Sequence, residues 1–112
     1  MIRTEIRLDH RGALRGFSVS GHAGAGAKGE DLVCAAVSFL FRTAARVLQL
    51  QSDLQIRGGA PEAGRMELEI EELPDARHQW LAGLSELLIR GVRDLAEENP
   101  GTVVVQIIEG KE

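Results

Sequence analysis

Between Val19 and Val33 the apolar period of the chain changes from two residues to three and four. Before the change, Phe17 and Val19 alternate with Ser18 and Ser20, as in a strand with one buried face. After it, Val33, Ala36, Val37, Leu40, Ala44, Val47 and Leu48 recur at helical spacing. The junction, Gly21-His22-Ala23-Gly24-Ala25-Gly26-Ala27-Lys28-Gly29, carries no large apolar side chain. Such a chain must pass from a half-buried strand into an amphipathic helix through a glycine-rich connection. Purely helical and purely stranded folds are excluded at once.

The same test orders the remaining segments. Ile2, Thr4, Ile6 and Leu8 alternate with Arg3, Glu5 and Arg7, giving a strand that the turn residues Asp9, His10, Arg11 and Gly12 join to the next as an antiparallel hairpin. The first helix is expected from 31 to about 50, with Asp31 as its N-cap. Leu54 and Ile56 begin a short strand, 58–64 reads as a glycine-rich loop, and Met66, Leu68 and Ile70 alternate with glutamates in a further strand. Pro74 and Asp75 open a second helix with a stripe of Trp80, Leu81, Leu84, Leu87, Leu88, Val92 and Leu95, which Asn99, Pro100 and Gly101 stop. Residues 103–108 are apolar on both sides, as expected of a strand interior to a sheet. The order β-β-α-β-β-α-β predicts an α+β fold, two helices packed on a mostly antiparallel sheet, in a single domain over 1–112.

Composition limits the partners. The net charge is −4 with both signs interspersed, and tyrosine is absent, so the basic stripe with stacking aromatics that direct nucleic-acid binding requires is not expected. No apolar run reads as a membrane span, and the alternating, charged N-terminus does not read as a signal peptide. One cysteine in 112 residues allows no internal disulfide; it fits a reducing compartment, and a cytoplasmic location is expected.

The junction also holds the chemistry. His22 ends the second strand and Cys34, the lone cysteine, falls early in the first helix. A thiol is nucleophilic as the thiolate, which a helix N-terminus and a nearby imidazole both favour. One reading of Cys34 is an inert core thiol among Ala35, Ala36 and Val37. Helical phase favours the other, since Cys34 lies about 100° from Val33 and so on the flank of the apolar stripe, with Ser38 one turn on. His22 shares strand parity with Ser18 and Ser20, on the polar face where a general base can meet that thiol. Gly21, Gly24, Gly26 and Gly29 make the connection a candidate substrate loop and lid. His10 and His78 are expected to be solvated, and three scattered histidines with one cysteine form no metal site. Gly24, Gly26 and Gly29 also spell G-x-G-x-x-G, but the preceding strand is half wet and the chain is too short for a dinucleotide fold. No cofactor is expected.

Gly21-His22-Ala23 followed by Gly29-x-Asp31-x-Val33-Cys34-Ala35-Ala36-Val37-Ser38 resembles the ribosomal-processing cysteine protease family, Prp. Ala25-Gly26-Ala27-Lys28 is smaller and more basic than in many relatives. The resemblance implies a dyad with His22 as base and Cys34 as nucleophile, supported by Asp31 and Ser38. It implies, as substrate, a short N-terminal extension on a large-subunit ribosomal protein, and a homodimeric enzyme. Other readings of the same residues are a non-catalytic ribosome-assembly or peptide-binding module and a different Cys-His acyl chemistry such as an amidase.

Overall fold

Alternation in the first segment becomes strand β1 (Ile2–Leu8), which buries Ile2, Thr4, Ile6 and Leu8 and exposes Arg3. In the computed structural model, which describes residues 1–21, 28–62 and 64–110, β1 pairs antiparallel with β2 (Leu14–Ser20), Ile6 opposite Phe17 and Thr4 opposite Val19. Asp9 closes the turn between them: its Oδ1 accepts the backbone N–H of Arg11 at 2.8 Å and of Ala13 at 2.9 Å. The expected element order follows, with α1 (Lys28–Gln49), β3 (Gln55–Glu62), β4 (Arg65–Glu72), α2 (His78–Glu98) and β5 (Val103–Glu109). Strands lie in the order β3-β4-β2-β1-β5. Every neighbouring pair is antiparallel except β1 with β5, which is parallel.

The core forms where the helices cover one face of the sheet. Val33, Val37, Phe41, Ala44 and Leu48 of α1 are buried with Ile6, Phe17, Leu68 and Ile70 of the strands. Phe41, absent from the expected stripe, is its buried centre, while Ala36, Leu40 and Val47 are only half-buried, Leu40 packing against the core; the Phe41 ring meets Phe17 edge-on with centroids 5.1 Å apart. Burying one such phenylalanine contributes about 1.5–3 kcal/mol. Among the described residues, α1 is the one helix long and apolar enough to cross a membrane by length and composition, over Leu32–Gln49, where the sequence reading expects no such run; 28% of that stretch is buried, in the stripe that packs on the sheet.

Four further expectations are corrected. The segment read as a loop at 58–64 continues β3 to Glu62, because β4 supplies the backbone partners. Gly58 has φ 131°, and a Cβ there would overlap the Glu67 carbonyl and lie 2.8 Å from Leu68 Cα, so only glycine lets the strands approach. β5 is an edge strand, not an interior one, and Val104 and Ile108 each remain 38% exposed on the open face. On α2 the buried residues are Leu81, Ser85, Leu88 and Val92, leaving Leu87 68% exposed and Trp80 37% exposed. Trp80 instead lies under the Arg77 guanidinium, 4.4 Å from the ring centroid. Arg77 also donates to Asp53 Oδ2 at 2.7 Å and to Gln51 Oε1, tying the α1–β3 connection to the start of α2. Finally, His78 is not solvated: its Nε2 is buried without a hydrogen bond, 3.9 Å from Asp9 Oδ1.

Candidate active site

The cysteine side of the site is built by α1. Its neighbours Val33 and Val37 are buried, which fixes the rotation of the helix and leaves Cys34 half-buried on the flank, packed against the rim of the core with a free thiol. Ser38 is half-buried one turn further on. A thiol held this way keeps a rigid backbone yet retains access from one side.

Its place along the helix differs from expectation. The helix begins at Lys28, so Asp31 and Gly29 lie within its first turn, Asp31 is not the N-cap, and Cys34 falls in the second turn. Only the first four amides of an α-helix lack intrahelical partners. Among the described residues those are the amides of Lys28, Gly29 and Glu30, about one turn before the thiol, and the amide of Cys34 is engaged in the helix ladder. The macrodipole falls off within the first turn, so it favours an anion at Cys34 less than at the expected position.

The histidine side is set by the end of β2. Ser18 and Ser20 stand half-buried on the open face of the sheet, opposite in sense to the buried Phe17 and Val19. A cavity of about 210 Å³ opens beside them, lined by Arg3, Glu5, Val104 and Gln106 as well. Gly21 then takes φ 100°, and its N–H donates to the Gly64 carbonyl at 3.0 Å. A positive φ ends the two-residue alternation, so the face taken by the next residue does not follow from the parity of Ser18 and Ser20. His22, Gly24 and Gly26, with the rest of 22–27, lie outside the described residues.

A second cavity, about 520 Å³, lies at the opposite end of β1 around the Asp9 turn, lined by Arg7, Arg11, Arg15, Glu69 and His78 among others. Its acidic groups are engaged: Asp9 with the turn amides, Glu69 with Arg57 and Asp75 with Arg11. Among the described residues, none of α1 lines it. The role of Gly21 as a pinned strand end was missed by sequence reasoning, although a glycine directly before the histidine was a usable signal.

A two-layer α+β domain built around one part-exposed thiol on its first helix is thus defined by the residues themselves. The chain belongs to the cysteine protease Prp family, whose pattern it matches over residues 1–104. It is similar in structure to SMU.848 from Streptococcus mutans, with TM-score 0.77 and 28% identity over 97% of this chain and 95% of that one. It also shares its fold with an essential ribosomal processing protease Prp from S. aureus in complex with a substrate peptide, at TM-score 0.77 and 16% identity over 96% of this chain and 99% of that one. The S. aureus protease with a covalently linked product peptide gives TM-score 0.76 and 17% identity, over 96% and 99% of the two chains. No curated protein sequence matches this chain closely enough to count as a relative.

Proposed function

We propose that this cysteine protease is a ribosomal-processing endopeptidase that removes a short N-terminal extension from a large-subunit ribosomal protein, with His22 and Cys34 as its dyad. The observation that carries the reading is Cys34 itself, the chain's one thiol, half-buried on the flank of α1 between two buried valines. Family membership and the substrate and product peptides bound to the S. aureus protease support a peptide as substrate.

In this mechanism His22 takes the thiol proton and the Cys34 sulfur attacks the scissile carbonyl carbon. The proton passes to the leaving amine as the C–N bond breaks, leaving a thioester on Cys34. Water, deprotonated by His22, then hydrolyses the thioester and restores the thiol. The free amides at 28–30 are the donors nearest in the chain for the oxyanion of each tetrahedral intermediate. Asp31 and Ser38 support the dyad from the same helix, and Gly21, Gly24, Gly26 and Gly29 belong to the substrate loop. The reaction uses no cofactor. The enzyme acts in the cytoplasm, where a lone thiol stays reduced, and as a homodimer.

The test is to incubate the host's extended ribosomal precursor with the wild type and with Cys34→Ala and to read intact masses. Loss of one defined N-terminal peptide with the wild type alone supports the reading and identifies the bond. An intact precursor with folded, reduced enzyme overturns it in favour of a different substrate or a binding role.

A further inference from the structure

The two edges of the sheet are unlike. On β3 the edge is guarded: the ladder to β4 shifts register twice, Gly58 has positive φ, Pro61 removes a donor, and Arg57 is charged and paired with Glu69. These are the devices by which an edge strand avoids pairing with another chain. On β5 none of them is present. Its seven residues, Val-Val-Val-Gln-Ile-Ile-Glu, run in unbroken register with β1 and contain no charge before Glu109 and no proline.

The direction of the backbone groups on β5 follows from its bonds to β1. Ile2 N–H donates to the Thr102 carbonyl at 2.8 Å, Thr4 Oγ1 to the Val104 carbonyl at 2.8 Å, and Gly110 N–H to the Leu8 carbonyl at 2.7 Å. In a regular strand the groups of alternate residues point to the same side. The even-numbered residues of β5 therefore bond β1, and the N–H and C=O groups of Val103, Val105, Ile107 and Glu109 face outward along the free edge.

We infer that this edge pairs antiparallel with β5 of a second copy of the chain, about a two-fold axis through Gln106, to make one continuous sheet across the dimer. The inference rests on the homodimer reading above and supplies its interface. Only registers in which opposed residues share a face are allowed, and the one centred on Gln106 matches apolar with apolar at 104/108 and 105/107, leaving Val103 opposite Glu109 at its two ends. It sets Val104 opposite Ile108 on the open face, covering both residues left 38% exposed. On the helix face it sets Val105 opposite Ile107, which exchange both of their outward backbone hydrogen bonds. Gln106 meets its own copy in a non-hydrogen-bonded pair, where two amide side chains can bond one another. A two-fold pairing also closes, since it consumes the one unguarded edge of each copy and leaves the guarded β3 edges outside.

The register makes a sharp test. In a non-hydrogen-bonded pair the Cα atoms are about 4.5 Å apart, within the roughly 4.4–6.8 Å that a disulfide spans. The two copies of residue 104 would instead be about 14 Å apart along the strands. In a Cys34→Ser background, which removes the only native thiol, Gln106→Cys should oxidise to a cross-linked dimer at least about tenfold faster than Val104→Cys. Sedimentation should give a dimer for the wild type at micromolar concentration and a folded monomer for Val105→Pro, whose lost N–H faces the free edge and serves no strand of its own protomer. A monomeric wild type overturns both the inference and the homodimer reading. A wild-type dimer with equal cross-linking at 104 and 106 overturns this interface alone, and that result does not depend on how Val105→Pro folds.

Discussion

Gly21 passes so close over the Met1 carbonyl that a Cβ on Gly21 would overlap the oxygen, and the same glycine holds φ 100° and donates its N–H to Gly64 at 3.0 Å. Three constraints thus meet on the residue that leads directly into His22. Gly21→Ala is expected to cost about 1–3 kcal/mol from the left-handed backbone, with the overlap added. Because relief requires moving the end of β2, precursor cleavage should fall along with the melting temperature. Unchanged cleavage by Gly21→Ala at a temperature where it is fully folded would mean that this strand end does not position the base.

Neighbouring glycines of β3 should behave differently. Gly58 has positive φ and abuts the β4 backbone, whereas a Cβ on Gly59 meets nothing within 4 Å. Gly58→Ala should lose about 1–3 kcal/mol, and Gly59→Ala should stay within about 0.5 kcal/mol of the wild type. Denaturation midpoints at constant slope measure both. Equal losses would show that the β3–β4 ladder does not depend on close approach at Gly58.

That pair also marks how far the sequence could be read. Alternation in β1 and β2 and the helical spacing of α1 and α2 are local signals, and they give the element order and most of the core. Gly58, Gly59 and Pro61 signal a loop locally, yet β4 overrides them with a partner strand that local composition does not encode. The apolar run of β5 says only that something covers it, not whether the cover lies in the same chain. His78 looked solvated because nothing near it in sequence shows that the Asp9 turn folds onto it. Cys34 was found correctly on the stripe's flank, but its depth in the helix was missed: Glu30 and Asp31 suit a first turn as well as a cap, so acidic residues alone do not fix where the helix begins.

The Asp9 turn carries a pH dependence. Burial pushes its carboxyl up, but the amides of Ala13 and Arg11, with the charges of His78 and His10, outweigh burial and hold it below its ordinary value of 3.8. A carboxyl depressed in the folded state stabilises fully above its unfolded value and loses that contribution as pH falls through the folded one. Asp9→Ala should therefore cost about 0.5–2 kcal/mol near neutrality, as for other side chains that cap free amides. The gap from the wild type should narrow below about pH 3.8. Thermal melts of both proteins across that range check the sign, and a gap that widens in acid would contradict it.

The dyad makes the strictest prediction, because two groups that act only together cannot be removed additively. His22→Ala should slow precursor cleavage by about 10³-fold or more, and Cys34→Ala by at least as much. The double variant should be no slower than the worse single one, since each loss already disables the same proton-coupled attack. Cys34 is half-buried on a helix flank with its backbone in the ladder, so alanine there should leave the melting temperature nearly unchanged and the rate loss free of unfolding. Single-turnover cleavage followed by intact mass gives all four rates. If the two losses multiply instead, His22 and Cys34 contribute independently, and His22 belongs to substrate binding rather than to proton transfer.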